Sequence, residues 1–397
     1  MTLPARDRPR GVASRLAPFG TTIFAEMSAL AVATGSVNLG QGFPEDPGPA
    51  LLRSAASAAI EEGDNQYPPG IGVAALLEAV AAHQLAEHGL AYDPAREILV
   101  TAGATEAIAS AVLGLCEPGD EVVMLEPSYD SYAAVVAMAG AVRVPVRLAY
   151  DEAAGRWVLP PGALEAAVTG RTRLVLVNSP HNPTGKVLDG DERAEVAGVC
   201  CRHDLVCVTD EVYEHLVFDG RRHVPLATLP GMRERTVTIS SAGKSFSVTG
   251  WKVGWACAPA DLLAGVRSAK QFLTYVTPAP LQRAVAVGLA VTHDLVDPLR
   301  DELRANRDLL AKGLAGVGLD VRDAEGTYFL TVDLSPVTGE DGATFCRALP
   351  ARCGVVAVPC SVFYGDPDGG RSLVRFAFCK RRATIEEAVD RLGRWRP

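Results

Sequence analysis

The chain of 397 residues is 48% hydrophobic with a mean hydropathy of +0.14, which provides apolar material for one large domain and a smaller one and predicts little disorder outside the termini. Its formal net charge is −9 and no long basic run occurs, which excludes the strongly basic surface typical of nucleic-acid-binding proteins. The chain has nine cysteines and no C-x-x-C spacing, which favours neither a disulfide framework nor a zinc site. The sequence shows no apolar leader and no run long enough for a membrane span, so we expect a cytoplasmic protein with no membrane partner.

Seven mostly unbroken apolar runs occupy the middle of the chain, and Ala/Leu/Glu-rich helical stretches lie between several of them. Continuous rather than alternating hydrophobicity is typical of strands buried on both faces, so the sequence predicts an α/β fold with a mainly parallel sheet covered by helices. The seven runs are 98–101, 121–125, 142–146, 174–178, 205–209, 236–240 and 254–257. We assign residues 46–285 to this large domain.

After residue 285 the pattern changes to that of a smaller α+β domain, residues 286–397. A long charged helix is expected around 299–314, followed by strand-like runs and a closing helix. The strand-like runs are 326–332, 355–358 and 373–378. Residues 1–45 precede the sheet, and we expect them to form an arm that packs on the smaller domain.

Small residues join a predicted strand to a predicted helix at 101–107, Thr-Ala-Gly-Ala-Thr-Glu-Ala. Free backbone N–H groups at the start of a helix bind anions, which makes Ala104 and Thr105 candidates for a phosphate contact. Many turns of this kind bind nothing, so the motif is weak when taken alone.

Two further turns follow buried strands, and each carries side chains suited to a cofactor. In 178–185, Asn-Ser-Pro-His-Asn-Pro-Thr-Gly, two prolines predict a stiff turn from which Asn182 can donate to a cofactor oxygen. Asp210 follows the run 205–209, where a carboxylate can keep a pyridine nitrogen protonated, and Tyr213 can bond a phenolic oxygen. Turn formation and helix capping are the alternative explanations of the two motifs.

The segment 240–255, Ser-Ser-Ala-Gly-Lys-Ser-Phe-Ser-Val-Thr-Gly-Trp-Lys-Val-Gly-Trp, is the most informative of the chain. Lys244 follows a predicted strand, where open α/β sheets hold ligands, and a lysine there can form a Schiff base with the aldehyde of pyridoxal 5′-phosphate (PLP). Ser241 and Lys252 flank it and supply the hydroxyl and the second ammonium that an anchored phosphate requires. Only six of the 38 basic residues are lysines, and two of the six lie here, which favours this interpretation over that of an ordinary solvated lysine.

Arg375 alternates with apolar residues in the run 373–378, so its side chain is expected on the opposite side of the strand from theirs. A guanidinium there would suit a substrate carboxylate, although an exposed strand arginine is the commoner case. The seven histidines show no metal-ligand spacing, and we expect no metal site.

Taken together and in this order, these segments resemble the class I/II aminotransferases of PLP fold type I over nearly the whole chain. The kynurenine/glutamine transaminase branch is similar in 38–44 (Asn-Leu-Gly-Gln-Gly-Phe-Pro), 65–70 (Asn-Gln-Tyr-Pro-Pro-Gly), 126–132 (Glu-Pro-Ser-Tyr-Asp-Ser-Tyr), the Asn-Pro-Thr-Gly turn and 241–255. Actinobacterial succinyldiaminopimelate aminotransferases resemble the chain most. The resemblance implies a fold type I PLP-dependent transferase with a seven-stranded sheet.

The resemblance also implies a role for each site residue. Lys244 would hold the cofactor as a Schiff base and shuttle protons. The other implied cofactor contacts are Asp210 on the pyridine nitrogen, Asn182 and Tyr213 on the ring oxygen, Ser241, Lys252, Ala104 and Thr105 on the phosphate, and Tyr129 stacked on the ring. The implied substrate contacts are Gly42, Asn182 and Arg375 on the α-carboxylate and Phe24 and Tyr275 at the side-chain pocket. Tyr67 and the segment around Tyr275 would reach into the neighbouring subunit's site, which implies a homodimer with shared active sites.

The expected activity is ping-pong transfer of an amino group between an amino acid and a 2-oxo acid, with succinyldiaminopimelate or a kynurenine-, methionine- or glutamine-type substrate. The run 275–280, Tyr-Val-Thr-Pro-Ala-Pro, departs from the pattern of close relatives. It leaves open a second possibility, C–S β-elimination or other repurposed PLP chemistry in secondary metabolism. A PLP-binding regulatory protein is a third, disfavoured because no DNA-binding segment precedes the predicted sheet.

Overall fold

The computed structural model of the protein describes residues 11–20 and 22–395, so residues 1–10 and Thr21 of the predicted N-terminal arm lie outside the described residues. Its α-helices are α1 Ile23–Thr34, α2 Ala50–Glu61, α3 Ala74–His88, α4 Gly103–Leu115, α5 Asp130–Ala139, α6 Ala163–Ala167, α7 Gly190–Arg202, α8 Ala242–Ser245, α9 Ala260–Lys270, α10 Ala279–Leu289, α11 Thr292–Gly316, α12 Gly342–Cys353 and α13 Arg382–Leu392. Its strands are β1 Val37–Asn38, β2 Ile98–Ala102, β3 Glu121–Glu126, β4 Val142–Arg147, β5 Ala149–Asp151, β6 Arg156–Val158, β7 Thr172–Asn178, β8 Val206–Asp210, β9 Thr236–Ser241, β10 Val253–Cys257, β11 Asp320–Arg322, β12 Phe329–Asp333, β13 Val355–Val356, β14 Val358–Pro359 and β15 Leu373–Ala377. Among the described helices, none combines the length and the apolar character that crossing a bilayer requires.

The central sheet has seven strands in the order β2-β10-β9-β8-β7-β3-β4, and β10 alone runs antiparallel to its neighbours. The mainly parallel sheet expected from the sequence is therefore confirmed, and the seven predicted runs are its strands. On β7, Leu174 and Leu176 join the apolar cluster on one face, whereas Val175 and Val177 join the cluster on the other. Because both faces are covered, most positions along such a strand are apolar, which explains the runs, although β9 also buries Thr236, Thr238 and Ser240.

Different helices cover the two faces of this sheet. Ala107 of α4, Val135 of α5 and Leu263 of α9 belong to the cluster on one face. Leu164 of α6 and Val196 of α7 belong to the cluster on the other. The large domain is thus a three-layer arrangement of helix, sheet and helix.

A second sheet, in the order β11-β12-β15-β14, belongs to the C-terminal part of the chain together with α11, α12 and α13. The N-terminal residues lie against it, since β1 pairs in parallel with β13 and α1 packs on α12. The exact domain boundaries at residues 45 and 285 stay predictions. Helix α11 begins at Thr292, earlier than the predicted 299, and it continues through Pro298 because the buried residues Thr292 and Val296 pack its first turns against the core.

The carboxyl ends of the parallel strands meet at one edge of the central sheet. Asn178 ends β7, Asp210 ends β8 and Ser241 ends β9. At the same edge α4 begins directly after β2, and a Cβ on Gly254 of β10 would lie 2.7 Å from the backbone carbon of Gly103. Glycine at position 254 lets the two backbones approach, and glycine at position 103 allows a positive φ of 74° at the start of α4.

Candidate active site

A cleft of about 230 Å³ lies at this edge, between the central sheet and the second sheet. It brings together every site residue predicted from the sequence except Tyr67 and Tyr275. The predicted residues that line it are Phe24, Gly42, Ala104, Thr105, Tyr129, Asn182, Asp210, Tyr213, Ser241, Lys244, Lys252 and Arg375. Residues separated by more than 300 positions in sequence are thus neighbours in space.

One end of the cleft presents hydrogen-bond donors and a positive charge. At the start of helix α4 no described side chain accepts a hydrogen bond from the amides of residues 103–105, since the Glu106 carboxylate accepts instead from the amide of Ala102 over 2.6 Å. A Cβ on Gly103 would lie 3.2 Å from Lys252 Nζ, and the ammonium makes no hydrogen bond or ion pair with a described residue. Ser241 adds a hydroxyl beside them. A helix start, a hydroxyl and an ammonium together are suited to bind a doubly charged anion such as a phosphate ester.

Asp210 is buried in the lining of the cleft, and no cationic side chain among the described residues is bonded to it. Its Oδ2 accepts a hydrogen bond of 2.5 Å from Tyr132 Oη, and its Oδ1 accepts one of 3.3 Å from the amide of Val212. Asn178 Nδ2 donates to the backbone oxygen of Asp210 over 2.7 Å and fixes the strand end. Burial raises the pKa of Asp210 to about 6, against the opposing effect of the Tyr132 hydrogen bond. A cationic group placed in the cleft would stabilise this carboxylate.

Lys244 faces the cleft from the short helix α8. Its Nζ donates to Tyr328 Oη over 2.7 Å, and Tyr328 Oη donates to the backbone oxygen of Gly42 over 2.6 Å. Burial lowers the pKa of Lys244 to about 8. At pH 7 about a tenth of this amine is therefore neutral, much more than for an ordinary lysine. Only the neutral form has the lone pair needed to attack a carbonyl carbon or to accept a proton.

Arg375, on β15, brings a second buried cation to the opposite wall. Its Nη1 donates to Asn182 Oδ1 over 2.8 Å and its Nη2 donates to the backbone oxygen of Gly40 over 3.1 Å. The guanidinium carbon lies 3.9 Å from the centre of the Phe329 ring. Burial lowers the pKa of Arg375, and no described acidic side chain forms an ion pair with it. The site is suited to an incoming carboxylate.

Sequence reasoning missed two tyrosines that contact the central groups. Tyr132 follows Tyr129 by three positions, a spacing that places both on one side of α5, and this was an available signal. Tyr328 precedes β12 and contacts Gly42, 286 positions away in sequence. No local pattern reports a contact of that range.

Tyr67 and Tyr275 lie outside the cleft of their own chain. Their rings contact each other edge to face with 5.5 Å between centres. Tyr67 is 81% exposed, Tyr275 52% and the nearby Phe272 85%. These side chains are therefore available to another protein surface.

Comparison with known proteins assigns the chain to one family. The family model described as aminotransferase class I and II matches residues 34–392. The solved structure of N-succinyldiaminopimelate aminotransferase from Mycobacterium tuberculosis superposes with a TM-score of 0.94 at 56% identity, covering 96% of this chain and 99% of that one. Methionine aminotransferase from Escherichia coli is 40% identical over 96% of this chain and 97% of its own length. Kynurenine–oxoglutarate transaminase from Dictyostelium discoideum is 36% identical over 94% of each chain.

Proposed function

The chain belongs to the class I and II aminotransferase family and is a fold type I aminotransferase, and we propose that it uses PLP to move the amino group of N-succinyldiaminopimelate to and from a 2-oxo acid. The main support for PLP as the cofactor is the cleft, which brings Lys244, Asp210 and Arg375 together. The choice of substrate is supported by 56% identity to the Mycobacterium tuberculosis enzyme, against 40% to the methionine enzyme.

The side chains of the cleft fit PLP. The open start of α4, Ser241 and Lys252 would hold its phosphate, and Asp210 would pair with its protonated ring nitrogen. The burial of Asp210 without a bonded cation supports this pairing. When bound, PLP supplies an aldehyde carbon for the amino group and a ring that accepts the electron pair left at the substrate Cα after deprotonation.

The cleft residues have separate roles in the proposed reaction. Arg375 binds the α-carboxylate through its two Nη groups and fixes the Cα–H bond relative to Lys244. Lys244 Nζ takes the proton from Cα, and in the second half-reaction it returns a proton to Cα of the new amino acid. Tyr328 holds Nζ in position, and Tyr132 holds the Asp210 carboxylate. The aromatic walls formed by Phe24 and Phe329 limit access of water.

We also propose that the active unit is a homodimer in which Tyr67 and Tyr275 complete the partner's cleft. The support is the exposed aromatic patch of Tyr67, Phe272 and Tyr275, since large apolar side chains exposed together mark interaction surfaces. Sedimentation of the purified protein should give the mass of two chains, and Tyr67→Glu with Phe272→Glu should give one. The cytoplasmic location stays a prediction from the sequence.

The substrate is tested by kinetics with single amino donors. Succinyldiaminopimelate, methionine, kynurenine and glutamine are offered in turn with 2-oxoglutarate as acceptor, and kcat/KM is measured for each. We expect succinyldiaminopimelate to exceed each of the others by at least about tenfold, because a matched pocket discriminates by one to three kcal/mol, about 10–200-fold. A higher value for methionine or kynurenine would contradict the substrate while leaving the aminotransferase activity intact. Release of pyruvate from a C–S amino acid without an acceptor would favour the β-elimination alternative.

The role of Lys244 is tested by substitution. Lys244→Ala should lower transamination by about 10⁴-fold or more, because both the nucleophile and the proton carrier are lost. Lys312→Ala, an exposed lysine of α11, is the matched control and should retain full activity. Equal activities of the two variants would exclude Lys244 as the catalytic amine.

A further inference from the structure

A second group of ionisable side chains lies buried away from the cleft, and the transamination mechanism does not use it. We call it the histidine cluster and define it as His83 and His88 of α3 together with Glu214 and His215, which follow β8. His83 Nε2 lies 3.0 Å from His215 Nε2, and His88 Nε2 lies 3.1 Å from Glu214 Oε2. His83 and Glu214 are buried, and His215 is partly exposed.

The cluster and the cleft lie on opposite sides of strand β9. Ser240 Oγ donates to Glu214 Oε1, whereas the next residue, Ser241, lines the cleft. Successive side chains of a strand point to opposite faces, so β9 separates the two groups. A ligand of the cluster would therefore not contact the reacting atoms.

We propose that His83, Glu214 and His215 bind one divalent transition-metal ion of borderline softness, with zinc as the foremost candidate. Their ligand atoms all lie within 4.8 Å of one another, and within the part of the chain that the structure describes they form the one group of at least three such side chains that is this compact. Two imidazoles and one carboxylate are a donor set that zinc takes in proteins, with a water molecule in the fourth position.

The two imidazoles require only a small adjustment to accept the ion, whereas the Glu214 carboxylate, whose ligand atom lies within 4.8 Å of theirs, must move closer to them. Two imidazole nitrogens on a tetrahedral zinc ion, each at about 2.0–2.1 Å, are about 3.3 Å apart. The two Nε2 atoms are 3.0 Å apart, so the rings must separate by about 0.3 Å. An imidazole binds a metal through the lone pair of its neutral form, and both rings place Nε2 at the proposed site.

The alternative interpretation is one hydrogen bond between two neutral imidazoles. In that arrangement a single proton lies between the two Nε2 atoms, and His83 Nδ1 stays buried without a partner. Metal binding does not add a partner for Nδ1, but it replaces the single hydrogen bond by two coordinate bonds that also engage Glu214. The two interpretations differ in whether a divalent ion binds, and that difference is measurable.

The surroundings of Glu214 are those of a supported metal ligand. One carboxylate oxygen accepts from Ser240 and the other from His88, and each oxygen has a second lone pair for a metal. Ligating carboxylates are commonly oriented by such outer hydrogen bonds. The partly exposed His215 gives the ion a path from solvent. The bound ion would join α3 to the segment after β8, 132 positions away in sequence.

The test is titration of the metal-depleted, PLP-loaded enzyme with Co²⁺, whose visible ligand-field bands report tetrahedral coordination, followed by competition with Zn²⁺. We expect one equivalent per chain with such bands, and displacement by Zn²⁺. Affinity should fall by about 100-fold or more in His83→Gln and His215→Gln, and by about tenfold in His88→Gln, which only orients Glu214. His203→Gln, an exposed histidine outside the cluster, is the matched control and should bind as the wild type does.

Two other effects could change metal binding, namely loss of stability in a variant and coordination of the metal by PLP. His83 is buried and its variant can lose stability, so His215→Gln, at a partly exposed position, is the deciding variant, and circular dichroism verifies its fold. PLP itself can coordinate metals, and since all variants carry PLP, its contribution is the same in each. Zn²⁺ should also raise the melting temperature of the wild type and of His203→Gln but not that of His215→Gln. Absence of saturable Co²⁺ binding in the wild type, or equal affinity in His215→Gln, overturns the proposal.

Discussion

Two buried carboxylates, Asp210 and Glu214, lie four positions apart on the same segment and differ in what surrounds them. Asp210 faces the cleft, where burial raises its pKa to about 6 and Tyr132 is its one side-chain hydrogen-bond partner among the described residues. Glu214 faces the histidine cluster. Burial also acts to raise its pKa, but His215, His88 and His83 together hold it well below the usual range.

The difference separates a buried carboxylate without a bonded cation among the described residues from one that hydrogen-bond donors and histidines surround. An ionised group left buried without an opposite charge costs free energy, and proteins keep such groups where a ligand supplies the missing charge. Asp210 fits that description, and the protonated ring of the proposed cofactor is the matching cation. Glu214 is already surrounded by hydrogen-bond donors and contributes to the stability of the fold.

Asp210→Asn is the strongest test of this comparison. The amide keeps the shape but cannot pair with a protonated ring nitrogen, so we expect kcat to fall about a thousandfold, the loss that follows removal of a preorganised charge partner. Steady-state kinetics measure it, with the exposed Asp301→Asn of α11 as matched control. The interpretation of Asp210 is wrong if the two variants have similar kcat values.

Glu214→Gln should act on stability instead of activity. Removing a buried charge that three histidines surround should lower the free energy of unfolding by about 3 kcal/mol, while transamination changes less than about twofold. Denaturant unfolding and kinetics on the same preparation separate the two effects. Glu386→Gln, which breaks an exposed ion pair with Arg382, is the control and should cost under about 1 kcal/mol.

The same variant gives a pH dependence with a defined sign. The pKa of Glu214 is lowered in the folded state, so its contribution is fully present above the ordinary value of 4.5 and is lost as the pH falls below it. The stability difference between wild type and Glu214→Gln should therefore shrink as the pH falls below about 4.5. Because Glu214 also raises the pKa of His88 above its ordinary value of 6.5, against the opposing effect of burial, the difference should grow as the pH falls from alkaline values to about 6. A difference that grows as the pH falls below about 4.5 would contradict the direction assigned to Glu214.

The sequence predicts the cleft side of this comparison well and the cluster side poorly, for a physical reason. Asn178, Asp210 and Ser241 each end an apolar strand, and parallel strands bring such positions to one edge regardless of the loops between them. The seven runs are readable because a sheet covered on both faces needs apolar residues at most positions. Asn182, Asp210 and Lys244 could therefore be found from their places after strands, whereas Phe24 and Gly42 were implied only by the family resemblance.

The contacts that sequence reasoning missed have no such local rule. His83 and His215 come from a helix and a loop, so their meeting depends on how α3 packs and leaves no ligand spacing in the sequence. Tyr328 meets Lys244 through the contact of the second sheet with the first. The predicted roles of Tyr67 and Tyr275 depend on a second chain, and the fold of one chain does not test them.

Arg375→Lys extends the comparison to a cation. Like Asp210, Arg375 is buried in the cleft and forms no ion pair with a described residue. Lysine keeps the positive charge but loses the two-pronged geometry, so KM for amino acids should rise about 10–100-fold, as expected from the loss of 1.5–3 kcal/mol in charged hydrogen bonds. The kcat value should change less. Arg371→Lys, an exposed arginine near β15, is the control, and an unchanged KM in Arg375→Lys would remove it from carboxylate binding.

Tyr132→Phe should give the smallest effect and tests the single side-chain hydrogen bond that compensates Asp210. That bond lowers the pKa of Asp210, so its loss raises the pKa further above the ordinary value. Since the ionised carboxylate binds the cofactor, affinity of the cofactor-free chain for PLP should weaken as the pH falls through about 6 in the wild type and at a higher pH in Tyr132→Phe. The loss should be less than about twofold at neutral pH, where most of the carboxylate is ionised in both proteins, and should approach about fivefold below pH 6, the equivalent of about 1 kcal/mol. Tyr92→Phe, a buried tyrosine outside the cleft, should follow the wild-type profile. If Tyr132→Phe also follows the wild-type profile, the ionisation of Asp210 does not control cofactor binding. The contrast between Asp210 and Glu214 would then not explain function.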